Sequence, residues 1–563
     1  MDGSTARTLA RRLSAASDRE IASLLAARRI SPTGPLASGW RDFFDIAEAL
    51  LDETAVRQAL STLSRDELAD LTGPAGLDAL ALADDDGRPL PAVAEALGGR
   101  VFARADPADP PPASDEEAAH AAERAFTTLS SLADLLIGAH AAPLARVGSG
   151  SLGAAERRRL VEAGVASSPD EIDLLVRAAR AIGLLRAEDR RILVTRSGAA
   201  WVRLATPDRW AELARRFRDA LPAGLRTAEG GWIAPARWPD AYPLDETWPA
   251  KAAAWIEFAR VLGLVGRCEE QSEPAWAAPL RRGDDPDPAP LVALLPPEVD
   301  RIFLQNDLTA ISPGPLAAHH DVRLRGMAVR ESHAQASTYR FTESSLARAL
   351  QTGETAEGIL SFLSEVSLTG VPQPLSYLVE RQATRYGLVR VSLDPTTGHT
   401  VVSSPDHDLL RTIAVDQSLS ALALVADDRL LRTRAPRDVV LWTLADARYP
   451  AIAIDEDGRP VTAPRHQVAD DPQPASRYAE LIARLRADSG AGDDRAWLER
   501  ELDQAVRERA IVSVDVEMPG GEIRTLVLEA TGIGGGRLRG RDPAADVERT
   551  LPISLIRALR LDG

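Results

Sequence analysis

Two features of the sequence could bind a nucleotide, and neither has the surroundings that this chemistry needs. A P-loop places a lysine directly after a glycine-rich turn, where its ammonium group reaches the phosphates. The only lysine among the 563 residues is Lys251, which stands between two alanines. Residues 148–153 have the spacing G-x-G-x-x-G, but no βαβ unit follows them. We interpret Ser151 as the N-cap of the next helix, and we expect neither a bound nucleotide nor ATP hydrolysis.

The residues that could hold a metal or act as a nucleophile are few. His319 and His320 are adjacent, with His333 nearby. On a strand, adjacent side chains point to opposite faces, so we expect these histidines not to share an ion. A single cysteine, Cys268, allows neither an internal disulfide nor a thiolate metal site. No G-x-S-x-G motif is present, and we expect no catalytic residue, metal or cofactor.

Arginine is the residue type with the clearest local pattern. Residues 152–218 contain fourteen arginines and nine acidic residues, a net charge of +5 in a chain whose net charge is −17. Arginine side chains bind DNA phosphates and base edges. Few aromatic residues stand among these arginines, which disfavours a stacking platform for single strands. The candidate DNA-binding residues are Arg177, Arg180, Arg186, Arg190 and Arg191. An ordinary solvated arginine face is the alternative, and the sequence leaves it open.

The elements around these arginines have the order of a winged helix. A helix over 152–163 is followed by Ser168 and Pro169, a capped start for a second helix over 171–182. Gly183 is a C-cap, and 184–194 form a hairpin that turns at 187–190. Helix, helix and two-stranded wing is a DNA-binding architecture. Arg177 and Arg180 would lie on its recognition helix, and Arg190 and Arg191 on its wing.

Composition sets the broad class of the protein. Hydrophobic residues make up 45% of the chain and aromatic residues 4%, so the cores must consist mainly of Leu, Ala, Val and Ile, which favours helices. The charge of −17 argues against a non-specific coat on nucleic acid, although a local basic surface is compatible with it. The sequence has no apolar run of membrane-spanning length and no signal-peptide pattern, so we expect a cytoplasmic protein without membrane contact.

Proline-rich linkers divide the chain. The stretches 105–114 and 284–290 are rich in proline, and their apolar residues do not recur at the spacing of a helix or a strand. We predict an N-terminal helical, winged-helix-like domain over 1–104 and a helical region with the winged helix over 115–283. A third domain spans 291–469, and 475–563 form helices followed by strands. A capping box at Ser64 and Glu67 opens one of the N-terminal helices.

The stretch 298–391 resembles a known family. Its matching residues are Gln305 to Leu308, Ser312 to Pro315, Tyr339 to Ser345 and Val371 to Leu375. Together they resemble the helicase-associated domain related to the N-terminal region of XPB-type helicases, found in actinobacterial proteins. The resemblance implies a non-motor domain in nucleic-acid transactions. Asp307 and Asn306 have two interpretations, contact with a partner or side-chain capping of a turn.

Within this third domain, the pattern predicts strands over 301–312, 321–329 and 337–341. Helices are predicted over 342–349, 355–365 and 373–386. A hairpin of 388–392 and 400–403 looks like a second wing, which would make a second winged helix. Further helices are predicted over 438–445, 477–487 and 496–509.

The C-terminal tail has a turn at Pro519 to Gly521, a hairpin over 532–539 and a closing segment over 552–559. With these features it resembles a WYL domain, an SH3-like small barrel that commonly follows winged helices in bacterial regulators. The tripeptide that defines the family is absent, and Leu538-Arg539-Gly540 stands near its place. The fold class expected for the whole chain is therefore multidomain and mainly α with α+β parts. It combines winged helices, an XPB N-terminal-like α+β domain and a small C-terminal β-barrel.

These expectations converge on a non-enzymatic DNA-binding accessory or regulatory protein of the helicase-associated family. The expected partners are double-stranded DNA and a helicase, transcription or repair protein. The alternative is a protein–protein scaffold, or an accessory subunit of a separate helicase motor, without direct DNA contact. The negative net charge favours that alternative.

Overall fold

The computed structural model describes most of the chain. The described residues are 3–73, 79–84, 86–104, 109–148, 150–266, 271–331, 336–427, 429–461, 468–470, 478–488, 493–518 and 521–561. Several residues discussed above lie outside these ranges: Ser149, Cys268, His333, Pro519, Gly520 and part of the first linker. The described chain is mixed helix and sheet, a multidomain α+β architecture with several small sheets.

The N-terminal unit is helical. The predicted capping box is confirmed, because the Ser64 side chain accepts from the Glu67 amide and Glu67 accepts from the Ser64 amide. Phe43, Phe44 and Leu50 lie at the centre of the core. Its helices are α1 (Gly3–Ala15), α2 (Asp18–Ala27), α3 (Pro35–Ser38), α4 (Phe43–Leu51), α5 (Glu53–Leu60), α6 (Arg65–Thr72) and α7 (Pro91–Leu97).

A long helix opens the second unit and packs over the predicted winged-helix segment. The unit begins with α8 (Asp115–Ala141), β1 (Leu144–Ala145), α9 (Ala154–Glu162), α10 (Pro169–Ala181), β2 (Leu185–Glu188) and β3 (Arg191–Val194). The three strands form an antiparallel sheet in the order β1-β3-β2. The predicted helices and hairpin are confirmed, whereas strand β1 was not anticipated. We call this group of elements the α8–β3 module.

A tryptophan-rich helical cap completes the second unit. Its helices are α11 (Arg196–Trp201), α12 (Thr206–Ala220), α13 (Trp248–Val261), α14 (Ala277–Arg281) and α15 (Ala289–Val292). The ring of Phe217 contacts the rings of Trp232, Trp238 and Phe258, with centroids 5.2–6.3 Å apart. These rings share one hydrophobic core with α8, so the cap packs against the α8–β3 module through that helix.

The third unit begins with a four-stranded sheet in the order β4-β5-β7-β6, covered by helices. Two sequence predictions are wrong here. Residues 301–312 form two strands rather than one, because the chain turns at Leu308, whose φ is +66°. Residues 321–329 are mostly helix, since the buried Leu324 and Met327 are three residues apart and match a helical face. The elements are β4 (Phe303–Leu304), β5 (Thr309–Ser312), α16 (Ala318–Met327), β6 (Val329–Arg330), β7 (Ser337–Arg340), α17 (Glu343–Gln351), α18 (Ala356–Val366) and α19 (Gln373–Tyr386).

A second sheet follows, in the order β10-β11-β9-β8-β12, with β12 parallel to β8. The hairpin predicted over 388–403 is confirmed as β8–β9, but it lies inside this five-stranded sheet. The elements are β8 (Val389–Leu393), β9 (Thr400–Ser403), α20 (His407–Val415), β10 (Val425–Asp427), β11 (Leu430–Thr433), α21 (Arg437–Asp446) and β12 (Ala451–Ala453).

The C-terminal unit consists of α22 (Ala479–Asp488) and α23 (Asp493–Glu508), then an antiparallel sheet of β13 (Ile511–Glu517), β14 (Ile523–Gly534), β15 (Arg537–Asp542), β16 (Val547–Pro552) and β17 (Ile556–Leu561). The strand order is β16-β15-β14-β13-β17. The predicted strands are confirmed. The prediction of a small barrel is wrong for the described residues, because the edge strands β16 and β17 do not pair with each other and the sheet stays open.

The two ends of the chain share a core. Leu481, Ile482, Leu485 and Trp497 are buried among the N-terminal helices. The guanidinium of Arg500 pairs with Asp42 at 2.9 Å and with Asp45 at 3.0 Å. The helices that precede the C-terminal sheet are therefore anchored on the first unit.

Candidate nucleic-acid interface

Helix α10 places two of the predicted DNA-binding residues on the outside of the α8–β3 module. Ile172, Leu175 and Ala179 are buried against the module core. Arg177 and Arg180 are exposed and three residues apart, so they occupy one face of the helix. Arg177 forms neither an ion pair nor a side-chain hydrogen bond with any described residue.

Local signals fix both ends of α10. The Ser168 hydroxyl accepts from the Glu171 amide at 3.3 Å, and Pro169 occupies the first turn. At the other end Gly183 has a φ of +77°, a left-handed conformation that glycine adopts without steric cost. The Leu184 amide then donates to the Ala179 carbonyl at 2.8 Å and turns the chain into β2. The helix and the hairpin are thereby held in a fixed relative orientation.

The hairpin β2–β3 carries the other three predicted residues. Arg186 and Arg191 lie on its outer face, opposite the buried Leu185 and Ile192. Arg190 lies in the turn beside Asp189, whose φ is +46°. Neither Arg190 nor Arg191 forms an ion pair through its side chain with the part of the chain that the structure describes. Both are exposed and accessible to an anion.

Arg186 is already engaged. Its guanidinium donates to the Asp470 carbonyl at 2.9 Å and lies 3.8 Å from the Glu188 carboxylate. The Asp470 carboxylate also pairs with Arg196 at 2.9 Å. The preceding residue, Ala469, forms a parallel bridge with Thr195 at the end of β3. A segment from beyond the third unit therefore lies against the base of the hairpin and occupies one of the five predicted residues.

Gly148 and Gly150 of the glycine-rich motif lie in the turn between β1 and α9. The Val147 amide donates to the Ser151 carbonyl at 2.9 Å, and Arg146 pairs with Leu152 in an isolated bridge. Ser151 stands two residues before the N-cap of α9, so the prediction that Ser151 caps the helix is wrong. The N-cap is Gly153, which offers no side-chain acceptor.

Arg146, at the start of this turn, is a further candidate residue that the sequence did not indicate. The amide of Arg146 donates to the Arg190 carbonyl at 3.0 Å, which joins the turn to the hairpin β2–β3. The Arg180 guanidinium is 3.5 Å from the Gly150 carbonyl, which joins the turn to α10. The available signal was the position of Arg146, directly before a glycine-rich turn and after a short apolar segment.

The two histidines lie on a helix, not on a strand as predicted. His319 and His320 belong to the first turn of α16, and their ring centroids are 3.9 Å apart. Burial and the neighbouring His319 lower the pKa of His320. Across the described ranges, no three His, Cys, Asp or Glu side chains come together in a group that could hold a metal ion.

Asp307 has a structural role in its turn. Its carboxylate accepts from the Thr309 hydroxyl at 2.5 Å and from the Thr309 amide at 3.2 Å. The hydroxyl contact is also the main reason that the pKa of Asp307 is lowered. The capping interpretation of this residue is confirmed.

Comparison with known families identifies the third unit. Residues 302–428 match the family described as helicase conserved C-terminal domain. The chain carries a helicase-associated domain. The match begins directly before β4, includes both helix-covered sheets up to β10, and leaves the α8–β3 module and the C-terminal sheet outside it. No curated protein matches the chain. Among the described helices, none is both long enough and apolar enough to cross a membrane.

Proposed function

We propose that the chain is a non-catalytic, DNA-binding accessory protein and that the α8–β3 module is its winged helix. The observation that best supports this proposal is the order of elements in the module, which is helix, strand, helix, helix and hairpin. Its three strands form a sheet in the order β1-β3-β2. This arrangement presents a helix and a wing on one side of the module. Arg177, Arg180, Arg190 and Arg191 are exposed there, in a segment with a net charge of +5.

The charge distribution supports contact with the DNA backbone more than with base edges. Asp170 and Glu171 stand in the first turn of α10 and would repel phosphates beside an inserted helix. Arg177 and Arg180 stand in its second half. Contacts from that half and from the wing would position the protein on duplex DNA. The charge of −17 on the whole chain would keep the remaining surface away from the duplex.

The other units suggest a partner in DNA metabolism. We propose that the matched domain is related to the N-terminal region of XPB-type helicases, which its sequence resembles. We also propose that α18, α19 and the hairpin β8–β9 form a second winged helix, because they follow one another in that order. The C-terminal sheet has the strand content of a WYL-like, SH3-like domain. We propose that these units bind a helicase, transcription or repair protein, while the α8–β3 module holds DNA.

The environment of Lys251 supports the absence of a motor. Lys251 lies in the first turn of α13, and its ammonium pairs with Asp245 at 2.7 Å. It is far in sequence from any glycine-rich turn. A P-loop lysine must instead reach phosphates from such a turn.

A scaffold or motor subunit without DNA contact is the second candidate. The observation that favours it is the net charge of −17, together with exposed apolar side chains on the matched domain. Tyr377 on α19 is 64% exposed and Leu368 is 54% exposed. Tyrosine is enriched among residues that dominate protein–protein binding energy.

A salt titration of duplex binding separates the two candidates. Four phosphate contacts predict a slope of log affinity against log salt of about −3.6, and about a hundredfold loss of affinity between 50 and 200 mM salt. The variant R177A/R180A/R190A/R191A should bind more weakly and with a shallower slope, and it should remain folded because these side chains are exposed. No binding by the unsubstituted chain at low salt would reject the DNA proposal. Co-purification with a defined helicase would then support the second candidate.

A further inference from the structure

The turn between β1 and α9 joins two arginine groups that the sequence places apart. Arg177 and Arg180 lie on α10, whereas Arg190 and Arg191 lie on the hairpin β2–β3. Arg146 contacts the hairpin through its backbone, and Arg180 contacts the same turn through its side chain. The turn therefore connects the two groups, and we call Arg146, Arg177, Arg180, Arg190 and Arg191 together the arginine line.

Gly150 lies close to two guanidinium groups. The Arg180 guanidinium lies 3.5 Å from its carbonyl oxygen, and a methyl group on Gly150 would lie 3.6 Å from Nη2 of Arg146. The φ of Gly150 is +88°, which other residues adopt only with strain. Both guanidinium groups therefore lie near the same point on the backbone, where the positive φ favours glycine.

Three carboxylates on the neighbouring elements pair with other arginines. Each of three acidic residues pairs with an arginine outside this turn, as Glu156 with Arg159 at 2.5 Å, Asp173 with Arg157 at 2.9 Å and Glu188 with Arg186 at 3.8 Å. Arg146 and Arg180 form no ion pair with any described residue. Two guanidinium groups that approach one backbone position and are not ion-paired suit an anion that accepts several hydrogen bonds.

We propose that Arg146 and Arg180, held at Gly150, bind one phosphate group of a DNA backbone. This inference rests on the proposed function and adds Arg146 to it. The phosphate would lie between the recognition helix and the wing, so a single DNA strand could run along the whole arginine line. The contact carries no sequence information, because phosphate is common to every nucleotide.

The test is duplex binding by the full chain over a series of salt concentrations. R146A should lower the salt slope by about one unit and weaken binding about tenfold near 0.1 M salt, equally for unrelated duplexes. R146K keeps the charge but not the two-pronged donor group, so it should retain the slope and bind with intermediate affinity. R215A is the matched control. Arg215 already pairs with Glu212 at 3.4 Å, and its loss should leave the slope unchanged.

Each outcome separates this inference from the proposed function. If R146A binds like the unsubstituted chain while R177A/R180A/R190A/R191A is impaired, the inference is wrong and the proposed function stands. If R215A loses as much affinity as R146A, the effect is one of total charge and the inference is also wrong. An altered sequence preference in R146A would contradict the assignment to the backbone. If the unsubstituted chain does not bind at low salt, both proposals fail.

Discussion

Asp134 and Arg325 join the α8–β3 module to the helicase-associated domain. The Asp134 carboxylate, on α8, accepts from the guanidinium of Arg325, on α16, and from Arg330 at 3.1 Å. The side chains of Asp134 and Arg325 are both less than a tenth exposed. Arg325 also lies 3.4 Å from Asp321, which accepts the Tyr339 hydroxyl at 2.6 Å. The contact therefore forms part of a buried polar network between two units.

Replacing Asp134 with asparagine should destabilise this junction. The substitution keeps the shape of the side chain but leaves the buried Arg325 and the neighbouring Arg330 without their shared counter-charge. Breaking a buried ion pair from one side costs about 3–5 kcal/mol. Hydrogen exchange should show faster opening of α8 and α16, and the thermal midpoint should fall.

D408N is the control, because Asp408 and its partner Arg411 are about 80% exposed. Its effect should be below about 0.5 kcal/mol. Equal effects of the two variants would contradict the prediction.

Trp497 should contribute to the stability of the first unit although it lies more than 400 residues away in sequence. Its ring stacks on Phe44 with centroids 6.3 Å apart, and it is 2% exposed. Removing a buried tryptophan costs about 3–5 kcal/mol. W497A should therefore increase proteolysis or hydrogen exchange in α4. Y377A is the control, since Tyr377 is largely exposed. Unchanged exchange in α4 of W497A would show that the shared core is not cooperative.

Local signals allowed the sequence to predict much of the candidate interface. Ser168, Pro169 and Gly183 determine where α10 begins and ends through contacts within a few residues, so its position and its exposed arginines follow from the sequence. Strand β1 has only two residues, too few to show the alternation of buried and exposed side chains that identifies a strand. Arg146 follows this strand directly, so its position was not predicted either. Short strands of this kind depend on the partner strand rather than on their own sequence.

Contacts between distant parts of the chain could not be predicted. Asp134 and Arg325 are 191 residues apart, and nothing near either residue indicates its partner. The same limitation explains α16, where Val322 and Leu324 alternate like a strand. The helix is favoured by burial of Leu324 and Met327 in the core of the third unit.

The purified chain should hydrolyse no ATP, with or without DNA. Its single lysine is paired with Asp245 and is not preceded by a glycine-rich turn, so no side chain of the required type is available for the phosphates. Phosphate release should equal that of a buffer blank, and K251A should change nothing. Turnover that persists through further purification and disappears on substitution in this chain would contradict the prediction.

Asp470 should weaken DNA binding by occupying the base of the hairpin β2–β3. Its carboxylate pairs with Arg196 and its backbone carbonyl accepts from Arg186, so a phosphate must compete with the carboxylate at Arg196 and with the carbonyl at Arg186. D470N removes the charge while keeping the size of the side chain. An exposed ion pair of this kind contributes about 0–1 kcal/mol, so affinity for duplex DNA should rise by up to about fivefold at low salt. The gain should shrink at high salt because screening weakens the competing pair.

D457N is the matched control and should have no effect. It alters an exposed carboxylate that lies 3.7 Å from Arg459 and outside the module. If D470N and D457N raise affinity equally, the gain reflects total charge. If D470N binds no better than the unsubstituted chain, the Asp470 carboxylate does not compete with DNA for Arg196.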